Sequence, residues 1–160
     1  MPDQITIRPL KDPDLDFIYR GIIELNWQDI PDEQKLHLSK SQSDEIARNE
    51  FSEQLRSGLN EGKNKLQIVV AELSPSKVLV GFLSFGEFID RWSGLTIGAI
   101  FDLWVDPKFR KQGIGGKLID HALSKIKESV IIYHLFKFHD KTKALSVCTK
   151  RKDFMKPISE

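Results

Sequence analysis

The 160-residue chain carries 24 Lys and Arg against 23 Asp and Glu, a formal net charge of +1, and 40% of its residues are hydrophobic. That balance is ordinary for a globular protein and argues against a nucleic-acid partner, because phosphate contacts demand a marked basic excess. One cysteine, Cys148, and four scattered histidines (His37, His121, His134, His139) leave no disulfide pair and no metal-ligand spacing, so no metal is expected.

Ile5 and Ile7 alternate with polar neighbours and predict a first strand. Asp12-Pro13 marks a helix start, with Asp as cap and Pro at the first helical position, and Leu15, Ile18, Ile22 and Leu25 follow at helical spacing. Residues 28–42 are polar and predict a loop containing a helical turn. Ser43 or Asp44 then caps a second helix, whose Ala47, Phe51, Leu55 and Leu59 recur every fourth residue. From Leu66 the period changes. Leu66–Leu73 is β-rich, Ser74-Pro75-Ser76-Lys77 reads as a turn, and Val78–Ile89 reads as the paired strand. Arg91-Trp92-Ser93-Gly94 is a second turn, Thr96–Val105 an apolar strand, and Gly113–Glu128 a helix with Leu118, Ile119, Ala122, Leu123 and Ile126 inward. Val130–Phe138 predicts a last strand and Thr142–Lys152 a last helix. The order is a mixed α/β sheet in a single domain spanning 1–160. No stretch approaches ~18 uninterrupted apolar residues and the first residues hold no apolar leader core, so a cytoplasmic protein without a membrane partner is expected.

Charge is unevenly spread. Residues 1–33 hold eight acids (Asp3, Asp12, Asp14, Asp16, Glu24, Asp29, Asp32, Glu33) against Arg8, Lys11 and Arg20, while residues 137–156 are basic. The first stretch could favour a cation and the second an anion, although solvated surface charge explains most such residues.

The segment from Arg110 to Gly116 joins an apolar strand to an amphipathic helix, whose first N–H groups are unpaired and carry partial positive charge. Gly113, Gly115 and Gly116 clear side chains from the backbone, and Lys108, Arg110, Lys111 and Lys117 add charge, an arrangement suited to a diphosphate. Neither a Walker loop nor a dinucleotide fingerprint fits the glycine spacing. The glycines alone leave a phosphate cradle and a plain tight turn both open.

The run Leu103-Trp104-Val105-Asp106-Pro107-Lys108-Phe109-Arg110-Lys111-Gln112-Gly113-Ile114-Gly115-Gly116-Lys117-Leu118-Ile119 resembles the acetyl-CoA signature of the GNAT superfamily of N-acetyltransferases. The resemblance implies a mixed, mostly antiparallel, partly splayed sheet with helices on both faces. It implies acetyl-CoA as co-substrate, with its pyrophosphate on the backbone from Gln112 to Lys117 and its pantetheine along Leu103, Trp104 and Val105. The acceptor is then a primary amine of a small molecule or peptide.

Direct acetyl transfer needs a base for the amine. Asp102, a carboxylate inside the apolar strand and three residues before its last Val, is the first candidate. A charge there is costly unless solvated in a cleft or paired, and burial raises its pKa toward a useful range. An ion pair on the solvent face is the competing explanation. Glu24, on the first helix, is the second candidate, with plain surface exposure as its alternative. Val80-Gly81-Phe82 and Phe101-Asp102-Leu103, joined through Arg91-Trp92-Ser93-Gly94, are similar to the diamine (polyamine) acetyltransferase branch, with Phe101 where that branch has a Glu. Cys148 stands where the family often has a Tyr acid, and Asp153-Phe154 is followed by too few residues for the family's last hairpin, which suggests a homodimer covering the sheet edge. These departures also leave room for a non-catalytic acetyl-CoA-binding sensor.

Overall fold

Alternating side chains along the central strands serve two separate cores, and this alternation sets the architecture of the computed structural model, which describes residues 4–60, 66–89, 91–126 and 131–134. Five strands, β1 (Gln4–Pro9), β2 (Gln67–Ser74), β3 (Leu79–Ile89), β4 (Thr96–Val105) and β5 (Ile131–His134), lie in sequential order. The first three pairings are antiparallel, and β5 joins β4 in parallel through Ile97–Ile100. Helices α1 (Leu15–Asp29), α2 (Asp32–Lys35) and α3 (Lys40–Asn60) precede β2, and α4 (Ile114–Lys125) connects β4 to β5. The mixed, mostly antiparallel sheet expected from the sequence is what the chain forms. Its last predicted helix, Cys148 and Asp153-Phe154 lie outside the described residues. Among those residues, no helix is long and apolar enough to cross a membrane.

One sheet face carries Val69, Ala71, Leu83, Phe85 and Ile100 against α4, whose Leu118, Ile119, Ala122 and Leu123 are buried there together with Ile126. The opposite face carries Ile68, Val70, Phe82 and Trp104 against Ile18 and Ile22 of α1 and Ala47 and Phe51 of α3. With both faces covered, β2 and β3 read as nearly continuous apolar runs.

Two helix starts differ from expectation. A short 3-10 turn, Asp12–Asp14, precedes α1, and the carboxylate that takes a backbone N–H is Asp14, whose Oδ2 accepts from Lys11 at 2.8 Å. Helix α3 begins four residues early, because Ser39 and Gln42 form a reciprocal capping box: Gln42 N donates to Ser39 Oγ (3.2 Å) and Ser39 N to Gln42 Oε1 (3.0 Å). Ser43 instead lies buried and accepts from Asn26 Nδ2, while Asp44 pairs with Lys40.

A buried ionic cluster ties β1, β2 and the entry to α1. The Arg8 guanidinium bonds both oxygens of Asp14 (2.7 and 3.0 Å) and Oε2 of Glu72 (3.0 Å), and Lys77 reaches Glu72 Oε1 at 3.2 Å. The hydrogen bonds from Arg8 hold both carboxyls below their ordinary range. Their stabilisation is therefore complete above roughly pH 4.5 and is withdrawn as pH falls through the folded-state values. In acid titrations followed by thermal melting, the midpoint should drop below about pH 4, and Arg8→Gln should lower the neutral-pH midpoint while flattening that drop.

Gly21 sets the distance between α1 and the sheet. A Cβ there would collide with the Phe82 ring and lie 2.7 Å from Trp104 Cδ2. Gly21→Ala should destabilise the protein by roughly 1–3 kcal/mol in denaturant unfolding, through this overpacking.

Candidate functional site

Between β3 and β4 the register slips by one residue: Ser84 faces Asp102 but Phe85 faces Ile100, leaving Phe101 as the extra residue of a β-bulge. The slip changes which face each side chain takes. Ile100 points into the α4 core, as do Leu103 and Val105, whereas Trp104 enters the core under α1. Asp102, two residues before Trp104, shares the α1 face and lines a cleft there.

This cleft has a volume of about 130 Å³ and lies between α1, α3 and β4. Ile22, Leu25, Ala47 and Phe51 supply its apolar wall, and Asn26, Asp29, Glu50 and Gln54 its polar one. Asp102 is half-buried, whereas Asp29, Glu50 and Gln54 are exposed. Ser84 Oγ donates to Asp102 Oδ2 at 2.6 Å and accepts from the Asp102 N–H at 3.0 Å. Burial pushes the Asp102 carboxyl above its ordinary pKa, the Ser84 hydrogen bond opposes this, and the negative charge of Asp29 adds to the rise. Among the described residues, Asp102 has no Lys or Arg partner, and its hydrogen bonds go to Ser84.

Glu24 does not line the cleft. Its Oε1 takes Arg110 Nη2 at 2.8 Å and Gln28 Nε2 at 3.1 Å. The acid surplus of residues 1–33 is likewise dispersed rather than pooled: Asp14 pairs with Arg8, Asp32 with Lys35 and Glu24 with Arg110, while Asp29 reaches the cleft.

At the end of β4, Asp106 donates its N–H to Val80 O (2.9 Å) and accepts from Lys108 N (3.0 Å), starting the 3-10 turn Pro107–Phe109. Alternation in an antiparallel ladder then turns the backbone of Trp104 toward β3 and that of Leu103 and Val105 toward the opposite edge. Of the three strand residues expected along pantetheine, Trp104 therefore spends its main-chain groups on β3. Arg110 folds back, with Nε on Val105 O at 2.8 Å and Nη2 on Glu24, so its charge is matched within the protein. Lys111 (φ 64°) and Gly113 (φ 79°) are left-handed, and they curl the backbone into the start of α4. Such curls bring successive N–H groups into one concavity.

Only Gly113 is required by its backbone conformation. A Cβ on Gly116 would meet nothing within 4 Å, and one on Gly115 would make an ordinary 3.7 Å contact with Leu103. Glycine at these two places keeps space open before the helix N-terminus, where Ile114, Gly115 and Gly116 have N–H groups with no intrahelical acceptor. Lys111, Gln112 and Lys117 are exposed around that space, while Ile114 is buried and anchors the turn in the core. A plain tight turn explains Gly113 and leaves the other two unexplained.

The sequence does not single out Asn26, Glu50, Gln54 or Ser84, and it marks Asp29 only as one of the eight acids of residues 1–33. A signal was present. Ile22-Leu25-Asn26-Asp29 and Ala47-Glu50-Phe51-Gln54 each follow the i, i+3, i+4, i+7 stripe of one helix face, apolar at the start and polar at the end. Ser84 is a lone hydroxyl within a buried apolar strand.

A backbone curl at the end of β4 and a carboxylate-lined cleft on one face of the same strand thus lie at the two ends of helix α1's contact with the sheet. The family model of the acetyltransferase (GNAT) family matches residues 22–151, and the chain belongs to that family of acyltransferases. A Pyrococcus furiosus protein provisionally assigned as an acetyl transferase superposes with a TM-score of 0.69 at 20% identity, over 93% of this chain and 92% of that one. AAC(6')-Iy in complex with the bisubstrate analogue CoA-S-monomethyl-acetylneamine gives 0.55 at 18% identity, over 92% and 88%. Glucosamine-6-phosphate N-acetyltransferase from Arabidopsis thaliana gives 0.56 at 19%, over 89% of each chain. No curated protein sequence matches the chain.

Gly115→Glu places bulk and negative charge before the helix N-terminus without crowding the core. Calorimetry should show CoA binding abolished and the thermal midpoint little changed; unchanged affinity would remove the turn from the binding site.

Proposed function

We propose that this enzyme moves the acetyl group of acetyl-CoA directly to a primary amine of a small cationic molecule held between α1, α3 and β4. The observation that carries this reading is Asp102, a half-buried carboxylate in an acid-lined cleft, next in the chain to the outward-facing Leu103 N–H.

The residues present fit the donor. The N–H groups from Gln112 to Lys117 would take the pyrophosphate, with Lys111 and Lys117 as surrounding cations. Leu103 and the Val105 N–H offer outer-edge main chain to the pantetheine arm, the Val105 carbonyl being taken by Arg110 Nε. Acetyl-CoA supplies an activated acyl group and a thiolate that leaves without needing strong acid assistance. The Leu103 N–H is the donor best placed for charge on the acyl oxygen. Arg110 shapes the turn rather than meeting phosphate, since Val105 and Glu24 occupy its guanidinium.

An arriving acceptor is an ammonium and must lose a proton before it can attack. Ionised Asp102 accepts that proton, and its raised pKa brings it nearer to that of the amine than an exposed Asp would be. Asp29 and Glu50 favour a molecule with further positive charge, which supports a polyamine-like cation over a neutral peptide terminus. Glu24 is a partner of Arg110 in this scheme and not a base.

Acetyl-CoA turnover should be measured by thiol release across di- and polyamines, aminosugars and peptide amines. Diamines and polyamines should give the highest kcat/KM. Asp102→Asn should lose at least about a hundredfold in kcat with CoA affinity unchanged, as expected when a general base is removed. Because the ionised carboxylate is the active form, kcat/KM should rise with pH through the Asp102 pKa, above the ordinary value of about 3.9. CoA binding without turnover of any amine would favour a sensor instead.

A further inference from the structure

We propose that Ser84 is a positioning residue for Asp102, fixing the orientation of the carboxylate that faces the acceptor. This rests on the reading of Asp102 as the base.

Ser84 is fully buried in β3 between Leu83 and Phe85, where an apolar side chain would be expected. A buried hydroxyl is costly unless it is hydrogen-bonded. Its side-chain bonds both go to one residue: the proton to Asp102 Oδ2 at 2.6 Å, and a lone pair to the Asp102 N–H at 3.0 Å. The hydroxyl thereby closes a ring through the main chain and side chain of Asp102 and restricts its first side-chain torsion. Oδ1 takes no hydrogen bond among the described residues. The ring forms at Phe101, where the register slips and Asp102 turns to the cleft face. One hydroxyl thus satisfies the main chain beside the bulge and aims the carboxylate.

Among the described residues, the charged groups sharing the cleft with Asp102 are Asp29 from α1 and Glu50 from α3. The charge of Asp29 favours the protonated form of Asp102, whereas the short hydrogen bond from Ser84 favours the ionised form that can accept a proton. Loss of the hydroxyl should therefore raise the Asp102 pKa and loosen its aim.

The test is carboxyl carbon-13 NMR titration of the unliganded protein, with kcat/KM pH profiles alongside, for wild type, Ser84→Ala, Ser84→Cys and Ser84→Thr. Ser84→Ala should raise the Asp102 titration midpoint and the acidic limb together by about one unit. The KM for acetyl-CoA should stay within about twofold, because the donor turn is untouched. Ser84→Thr, which keeps the hydroxyl, should restore both. Ser84→Cys, nearly isosteric but a weaker donor, should move both in the same direction by less, and it serves if Ser84→Ala fails to fold. A midpoint unmoved in Ser84→Ala, or in Ser84→Cys where the alanine variant is unfolded, overturns the proposal even if Asp102 is essential. Full activity in Asp102→Asn overturns the base reading separately.

Discussion

The one-residue slip at Phe101 is the constraint on which both halves of the site depend. Side chains on a strand alternate with a period of two, so an uninterrupted β4 would put Ile100, Asp102 and Trp104 on a single face. The bulge lets Ile100 fill the α4 core while Asp102 and Trp104 face α1. Asp102 then meets the cleft instead of the interior, and Leu103 beside it packs against the α4 core while its main chain faces the outer edge.

Helix α1 joins the two halves. Its residues Arg20 and Glu24, one turn apart, reach Asp106 at 3.0 Å and Arg110 at 2.8 Å, on either side of the 3-10 turn leading to the glycines. Ile22, Leu25, Asn26 and Asp29 of the same helix line the cleft. Gly21 allows the close approach that brings these groups within reach, and Arg20 lies over the Phe17 and Trp104 rings at 5.2 and 5.6 Å. Exposed pairs of this kind contribute little stability individually. Their effect is geometric, since a shift of α1 would move the cleft wall and the cradle of the turn together.

The glycine turn was legible because its requirements are local. Open space before a helix N-terminus depends on residues adjacent in sequence, and Gly113 to Gly116 declare it without reference to the rest of the chain. Helix and strand periods were legible for the same reason: Leu118 to Ile126 had to face a core, and they do. The capping box at Ser39 and Gln42 is equally local, but it lies in a polar stretch that lacks the apolar spacing of a helix.

The sequence by itself determined the mixed sheet, the order of its elements and a glycine-rich turn at a helix start, because each follows from spacing within about a dozen residues. It also marked Asp102 as an anomaly, a charge in an apolar strand. Only the tertiary structure decided what surrounds that charge. Ser84 lies 18 positions away, Asp29 and Glu50 come from separate helices, and the bulge at Phe101 exists only as a register between two strands. Likewise, only packing brings Glu24 to Arg110, 86 positions distant. Proximity across such separations is created by packing, and no one-dimensional pattern encodes it.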